Sequence, residues 1–138
     1  MKVYRLIHVH QLSHGWNETK IIGYFDSEMR CQEVIRNLLP KPGYCDYPDS
    51  FYTIEKSIPD TQGDRIPDVV YEVNSERIIN LTDSYVSFLG VYAYEASAHN
   101  RVIKCKKRIR NSKQETVFYI EPFTINKVHW SEGFDSAD

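Results

Sequence analysis

Cysteine is scarce in this sequence, and its three copies do not lie at the spacings that bind metal or build a disulfide framework. Cys31, Cys45 and Cys105 are an odd set, and no two of them lie close together. This pattern argues against a disulfide-stabilised secreted domain and against a zinc site of the CxxC type. We therefore expect reduced thiols in a cytoplasmic protein.

Long apolar runs are absent as well. No apolar stretch approaches the roughly 18–20 residues that a membrane-spanning helix requires. The N-terminus, Met1-Lys2-Val3-Tyr4-Arg5, lacks the uninterrupted apolar core of a signal peptide. The formal net charge of −2 favours neither nucleic acid nor a membrane surface as a partner. The sequence therefore predicts no association with membranes.

Motifs of nucleophilic and phosphate chemistry are also missing. The chain has no G-x-S-x-G elbow and no glycine-rich phosphate loop. Cys31 falls in the apolar stripe of a predicted helix, where packing is its expected role. Cys45 lies near Asp46 and Asp49, and neighbouring anions raise the pKa of a thiol, which opposes catalysis. We predict a protein that is not an enzyme, with no catalytic residues and no cofactor.

What is present is the pattern of an α+β fold with an antiparallel sheet and one or two packed helices. Alternating apolar residues predict strands at Val3–Leu12, Thr19–Phe25 and Phe51–Ile58. The first two are joined by a short link, which makes them antiparallel neighbours. Between the second and third strands, Asp26 or Ser27 can cap a helix whose apolar stripe is Cys31, Val34, Ile35, Leu38 and Leu39. The first half is therefore a β-β-α-β unit.

The second half gives a similar but less regular pattern. Residues 59–67 are rich in Pro, Gly and Asp and predict a loop, followed by strands at Asp68–Val73 and Tyr85–Tyr94. The next segment, 95–110, fits a helix by its apolar spacing and a strand by its Val and Ile content. We favour the helix; in the strand interpretation, 111–114 would form a hairpin turn.

Three segments carry specific motifs. They are Lys20-Ile21-Ile22-Gly23-Tyr24-Phe25-Asp26-Ser27, Pro42-Gly43-Tyr44-Cys45-Asp46-Tyr47-Pro48 and Trp130-Ser131-Glu132-Gly133-Phe134. In order and in several residues they match K-x-I-G-x-[YF]-x-S, P-G-[YF]-x-D-[YF]-P and W-[ST]-E-G-F. The chain thus resembles a family of short, functionally uncharacterised bacterial domains, with the front motifs in residues 3–52 and the closing motif in 118–134. The resemblance implies a fold and a bacterial origin, but no activity.

Two interpretations of these motifs stay open. The loop 42–48 is rigid and aromatic because prolines restrict it and Gly43 can supply a positive φ. We expect it to cover the sheet core; the alternative is a binding loop. In the closing segment, Trp130 and Phe134 are expected to hold the tail on the core; the alternative is a contact patch.

A weak internal repeat gives a second view of the domain organisation. At a shift of sixty-seven residues Val3-Tyr4 meets Val70-Tyr71, Gly23 meets Gly90, and Phe51-Tyr52 meets Phe118-Tyr119. The chain is then either one family domain with an insertion at roughly 53–117 or two β-β-α-β copies, the second degenerate. We predict a single compact domain over 1–138, with possible sub-units 1–60 and 68–134.

Three histidines near the N-terminus are the candidate metal ligands. His8 and His10 lie two apart on a predicted strand, so their imidazoles point to one side. With a carboxylate from elsewhere they could hold Zn, Fe or Mn, and His14 follows in the turn. The favoured interpretation is that they are half-buried sheet residues satisfied by hydrogen bonds, and we predict no metal site.

Charge is distributed unevenly along the chain. Residues 44–95 hold ten acidic side chains against three basic ones, whereas 101–113 hold seven basic side chains and no acid. The acidic segment can attract a basic protein partner by electrostatic steering. We predict a partner-binding surface made of Asp60, Asp64, Asp68, Glu72 and Glu76, with Tyr71 and Tyr85 as aromatic anchors.

The resulting hypothesis is a protein-binding module, and more specifically a bacterial immunity protein that neutralises a toxin domain by occlusion. Nuclease toxins tend to be basic, so an acidic inhibitor would associate quickly with one. One alternative is a nucleic-acid-binding regulatory domain that uses the basic run 101–113. The other is a metal-dependent enzyme built on His8 and His10.

Overall fold

The computed structural model describes residues 1–13, 15–109 and 115–135. Its elements are β1 (Lys2–Gln11), β2 (Asn17–Phe25), α1 (Glu28–Leu38), a 3₁₀ turn (Tyr44–Asp46), β3 (Phe51–Ser57), β4 (Val69–Ile78), β5 (Ser84–Tyr92), α2 (Glu95–Ile109) and β6 (Thr116–Thr124). Two antiparallel three-stranded sheets and two helices confirm the predicted α+β class. The hairpin turn considered at 111–114 lies outside the described residues.

The chain divides into two compact units, which we call the outer unit and the central unit. The outer unit is Lys2–Lys56 with Thr124–Asp138, and the central unit is Met1 with Ser57–Phe123. These bounds differ from the sub-units 1–60 and 68–134, because the tail after β6 belongs with the first half of the chain. Backbone N–H groups of Asn126 and His129 donate to the carbonyls of Tyr24 and Ile22, which attaches the tail to β2.

The outer unit has strand order β2-β1-β3, with α1 packed on one face of the sheet. Ser27 begins the helix: its side-chain oxygen accepts a hydrogen bond from the Arg30 backbone N–H at 3.2 Å. Of the two caps that the sequence allows, Asp26 and Ser27, the structure uses Ser27. The helix buries Cys31, Val34 and Leu38 against the sheet, and Pro40 and Pro42 follow it.

The central unit has strand order β5-β4-β6 and packs α2 on its sheet. The helix over 95–109 confirms the favoured interpretation of this segment. Its buried residues are Ala98 and Val102, which pack with Val73 of β4. Among the described residues, neither helix is long and apolar enough to cross a membrane.

The two units correspond position by position at the shift of sixty-seven residues. The β1–β2 register is interrupted between Leu6 and Ile7, and the β4–β5 register between Val73 and Asn74. Gly23 pairs with Leu6, and Gly90 pairs with Val73. A β-bulge is a specific local feature, so its recurrence at one shift supports two copies of a single β-β-α-β unit.

The same structure also has the form of an insertion, since residues 57–123 interrupt the outer unit and are themselves the second β-β-α-β unit. The two interpretations left open by the sequence therefore describe one arrangement. The front motifs and the closing motif lie together in the outer unit, whereas the central unit carries neither.

Candidate functional site

The three motifs meet on the helix-bearing side of the outer sheet. The backbone N–H of Phe134 donates to the carbonyl of Pro42 at 2.9 Å. The Tyr44 hydroxyl donates to the carbonyl of Trp130 at 3.1 Å. Because the loop 42–48 and the closing segment bond directly to each other, each fixes the position of the other.

Phe134 fills the centre of this arrangement. Its ring is buried, stacks on His10 with centroids 5.1 Å apart, and meets the Tyr44 ring edge-on at 5.1 Å. Tyr44 is also fully buried, and burial raises the pKa of its hydroxyl to about 12. The structure thus confirms the expected covering role of the loop and of Phe134, while Trp130 remains half exposed.

The histidine pair lies beneath these rings. His8 is fully buried, and its Nε2 lies 3.0 Å from the carbonyl oxygen of Tyr47. Burial lowers the pKa of His8, and the nearby charges of His10 and Lys20 lower it further, against the raising effect of the Tyr47 hydrogen bond. The buried Nδ1 atoms of His8 and His10 have no hydrogen-bond partner among the described residues.

The metal hypothesis requires at least a third ligand beside His8 and His10. Within residues 1–13, 15–109 and 115–135, no group of three or more His, Cys, Asp or Glu side chains is arranged to hold one. Glu18 is the carboxylate nearest the pair along the strands, with Oε2 3.7 Å from Nε2 of His10. His14, the third histidine considered, lies outside the described residues.

Lys20 adds a buried cation to the same face. Its side chain is 4% exposed, pairs with Glu18 at 2.6 Å, and lies 4.0 Å above the Phe134 ring. Register places Lys20 opposite His8 and Glu18 opposite His10. The arrangement is a closed polar and aromatic core, which explains why the motifs contain lysine, glycine and aromatic residues together.

The residues predicted to bind a partner are distributed over the central unit. Asp60 is used internally: its two carboxylate oxygens accept the backbone N–H groups of Ala93 and Tyr94 at 2.7 and 3.0 Å. Burial acts to raise the pKa of Asp60, but these bonds and one from Ser97 outweigh it and hold the pKa below its usual value. Asp60 therefore stabilises the turn into α2.

Glu72 and Tyr71 face inward as well. Glu72 is fully buried, with Oε2 accepting a hydrogen bond from the Asn74 side chain at 2.8 Å. Tyr71 packs against the core formed by Val73, Ala98 and Val102. In this conformation Glu72 is not available to a partner, whereas Tyr71 is partly buried.

The four remaining predicted residues do not form one surface. Asp64 and Asp68 are exposed in the loop before β4, and Asp68 pairs with Arg65 at 3.8 Å. Glu76 and Tyr85 lie at the far end of the β4–β5 hairpin. Glu76 lies eight positions after Asp68, which corresponds to about 25 Å of extended chain, so the two groups are well separated.

Glu76 and Tyr85 also face opposite sides of the sheet. Glu76 pairs with Val86, and its neighbour Arg77 pairs with Tyr85, so the alternation of the strand points the two pairs in opposite directions. The Glu76 carboxylate accepts hydrogen bonds from the Tyr119 hydroxyl and the Ser84 hydroxyl, each at 3.0 Å. This interaction with Glu76 raises the pKa of Tyr119.

A surface that the sequence analysis did not identify surrounds Glu76. We call it the hairpin surface and define it as Glu76, Ile79, Leu81, Val86 and Tyr119. Val86 pairs with Glu76 and the Tyr119 hydroxyl bonds to it, whereas Ile79 and Leu81 follow β4 in the turn. All four apolar or aromatic side chains are about half exposed or more, and Leu81 is fully exposed. The available signal was the Ile-Ile-Asn-Leu sequence at 78–81, which places apolar residues in a turn where polar ones are usual.

The basic run forms the solvent side of α2. Lys104, Lys106, Lys107 and Arg108 are exposed, whereas Arg101 donates from Nε to the carbonyl of Leu89 at 3.2 Å. Arg110 and Lys113, the other members of the run, lie outside the described residues.

Comparisons with protein-family models, with curated proteins and with solved structures found no match for this chain.

Proposed function

We propose that this chain is a non-catalytic protein-binding module, specifically an immunity protein that occludes a basic toxin domain through the hairpin surface. The observation that carries the proposal is the exposure of Ile79, Leu81, Val86 and Tyr119 at the end of the β4–β5 hairpin that also carries the Glu76 carboxylate. Apolar and aromatic side chains with an adjacent charge are the composition of protein interfaces.

The charge of the surface selects the partner. Glu76 is directed away from the α2 side of the sheet, and Asp83 lies in the same hairpin, its carboxylate held by the Asn80 side chain at 3.2 Å. Arg77, the neighbouring cation on β4, points to the opposite face of the sheet. A basic partner would therefore be steered toward this end, and its association would weaken with salt.

The mechanism is occlusion. Two features favour a rigid inhibitor. Beyond the bulge, the β4–β5 pairing is continuous from Asn74–Phe88 to Ile78–Ser84. The Asn80 side chain accepts the backbone N–H groups of Thr82 and Asp83, which orders the tip. A preorganised surface loses little conformational entropy on binding. The toxin's active site or nucleic-acid groove is the surface that would be covered.

The test combines neutralisation with interface mapping. The immunity role implies that the gene immediately upstream encodes the toxin. The product of that gene is expressed in a bacterial host with the wild-type chain, with Val86→Lys, or with Met29→Lys as the control. Met29 is an exposed apolar residue of α1 in the outer unit. We expect wild type and Met29→Lys to protect the host and to bind the purified toxin domain, and Val86→Lys to bind at least tenfold more weakly.

Three results would reject the proposal. One is equal protection by Val86→Lys and Met29→Lys with unchanged affinity; another is a failure of the wild-type chain to bind or neutralise the neighbouring toxin. The third is a concentration-dependent dimer in sedimentation that Val86→Lys abolishes, because the surface would then join two copies of this chain.

A nucleic-acid-binding role is the second candidate, and the exposed basic side of α2 favours it. Such binding would weaken steeply with salt, because phosphate contacts release counterions. In filter binding at low salt, retention that Lys104→Gln with Lys107→Gln abolishes would support this role. No retention of single- or double-stranded probes would remove it.

A further inference from the structure

A cleft lies between the last turns of α2 and the sheet of the central unit. Its volume is about 230 Å³. The residues that matter for its chemistry are Ser75, Arg77, Tyr85, Ser87, Arg108 and Phe118. The cleft is separate from the hairpin surface because Arg77 and Tyr85 face the opposite side of the sheet from Glu76 and Val86.

Small side chains create the space. Ser75 and Ser87 are directly opposite each other on β4 and β5, at a position where the sheet faces the helix. The buried residues of α2, Ala98 and Val102, come from its first half. The second half therefore passes over two serines, and among the described residues Leu89, Cys105 and Ile109 line the gap that these small side chains leave.

The outer unit shows what fills the corresponding space there. At the shift of sixty-seven residues, the pair Ser75–Ser87 corresponds to His8–Lys20, and Phe118 corresponds to Phe51. Over His8 and Lys20 lies the ring of Phe134, 5.4 Å from the His8 ring centroid and 4.0 Å from Lys20 Nζ. In the outer unit, an aromatic ring thus packs against a cation at this position.

The central copy keeps a cationic setting, and the rings of Tyr85 and Phe118 line it. Arg77 corresponds to His10, and its Cζ lies 5.9 Å from the Tyr85 ring at the edge of the cleft. Arg108 approaches from α2. Within the described part of the chain, neither Arg77 nor Arg108 has a carboxylate within ion-pair distance.

We propose that this cleft is a binding site for a small aromatic carboxylate. The ring of the ligand packs against Phe118 and the serine pair. This space corresponds, at the shift of sixty-seven residues, to the one that Phe134 fills in the outer unit. The carboxylate is bound by Arg77 and Arg108, since a guanidinium forms paired hydrogen bonds with a carboxylate. Pockets for drug-sized ligands measure roughly 300–1,000 Å³, so a smaller cleft selects a ligand with one ring.

The first experiment uses the wild-type chain and three probes. Benzoate, benzamide and cyclohexanecarboxylate are titrated into ¹⁵N-labelled protein while the backbone amide shifts of Ser75 and Ser87 are followed. We expect saturable shifts with benzoate. Benzamide lacks the charge and should bind about tenfold more weakly, and cyclohexanecarboxylate should be weakened by loss of the flat ring that stacks on Phe118.

Variants assign the two guanidinium groups. Arg77→Gln with Arg108→Gln should weaken benzoate binding about tenfold or more, because both charge-assisted hydrogen bonds are lost. Lys104→Gln with Lys107→Gln removes the same charge from the exposed side of α2 and should change the affinity less than about twofold. Amide spectra of the unliganded variants establish that they are folded.

Several results would overturn the proposal. Benzoate that produces no saturable shift up to ~10 mM would show that the cleft does not recognise this class. Equal affinities for benzoate and benzamide would remove the role of the arginines. Tighter binding of a synthetic Trp-Ser-Glu-Gly-Phe-Asp peptide, the sequence of residues 130–135, would identify a peptide-docking site instead. None of these results depends on a partner at the hairpin surface.

Discussion

The ring of Phe134 lies against the backbone of Gly43 so closely that a Cβ on residue 43 would be 2.6 Å from Phe134 Cγ and Cδ1. Gly43 also has φ +81°, a conformation that L side chains rarely adopt. The glycine of the second motif and the phenylalanine of the third are therefore one structural feature. Its consequence is that each residue constrains the other despite their separation in sequence.

Gly43→Ala should destabilise the protein by about 3 kcal/mol. Roughly 1–2 kcal/mol comes from the left-handed backbone conformation, and a similar amount comes from the overlap with the ring, since a packed core accommodates an added methyl group poorly. The free energy of unfolding measured in urea, with Trp fluorescence as the signal, gives this value directly.

Gly63→Ala is the matched control. Gly63 has φ +72°, but a Cβ there would meet nothing within 4 Å. This variant should lose only the backbone contribution of about 1 kcal/mol. If the two alanine variants were equally stable, the contact between residue 43 and Phe134 would not be tight in solution.

Much of the fold follows from local patterns in the sequence. Apolar alternation located the strands, and Ser27 with its apolar stripe located α1, because these signals depend only on neighbouring residues. The weak repeat pointed to β6 through Phe118-Tyr119. The length of β4 was underestimated, since Ser75 and Glu76 are polar residues whose strand conformation comes from pairing with β5.

The candidate surfaces were harder to predict, because charge alone does not reveal burial. Asp60 and Glu72 were assigned to a partner on the basis of charge, yet one bonds backbone amides and the other is fully buried. These roles depend on contacts with residues up to 34 positions away, as for Asp60 and Tyr94. Contacts between residues so far apart in the sequence cannot be predicted from the spacing of residues along the chain.

His8 should make stability depend on pH near neutrality. Its ordinary pKa is 6.5, and burial lowers the pKa in the folded state. The unfolded chain therefore binds the proton first as pH falls, and the free energy of unfolding decreases from about pH 7.5 to pH 5.5, with a slope of at most ~1.4 kcal/mol per pH unit for one proton. Urea unfolding at a series of pH values measures this slope.

Two glutamine variants assign that slope. His8→Gln removes the titrating group and should flatten the dependence in this pH range. His99→Gln removes an exposed histidine of α2 that lies 3.5 Å from Glu95 and should leave the slope close to that of wild type. A wild-type slope retained in His8→Gln would show that the proton uptake occurs elsewhere, and His10 would be the next residue to replace.

Asp60→Ala should loosen the start of α2. Its carboxylate accepts two backbone N–H groups just before the helix begins, at Ala93 and Tyr94. Losing side-chain acceptors of this kind costs about 1–2 kcal/mol. Hydrogen exchange of the amides at residues 93 and 94 should become faster.

Asp64→Ala provides the comparison for a loop acid that is exposed. This variant should change the free energy of unfolding by less than about 0.5 kcal/mol. Because the pKa of Asp60 is held below its usual value, the stabilisation by Asp60 is present above the ordinary carboxyl pKa near 3.8 and decreases as pH falls through the lower folded value. Equal exchange rates in the two variants would contradict the capping role.

Glu18→Gln should be more costly than an ordinary surface change, because it leaves the buried Lys20 ammonium without its carboxylate. Lys20 is 4% exposed and Glu18 46% exposed, so we expect about 1–2 kcal/mol, less than for a fully buried pair. Glu55→Gln, which breaks an exposed pair with Lys2 at 3.6 Å, should cost less than about 0.5 kcal/mol.

Adding Lys20→Met to Glu18→Gln should recover part of the loss, since no uncompensated charge then remains in the core. A double variant whose loss equals the sum of the losses in Glu18→Gln and Lys20→Met would instead mean that Lys20 stabilises this core through its contact with Phe134 rather than through the ion pair.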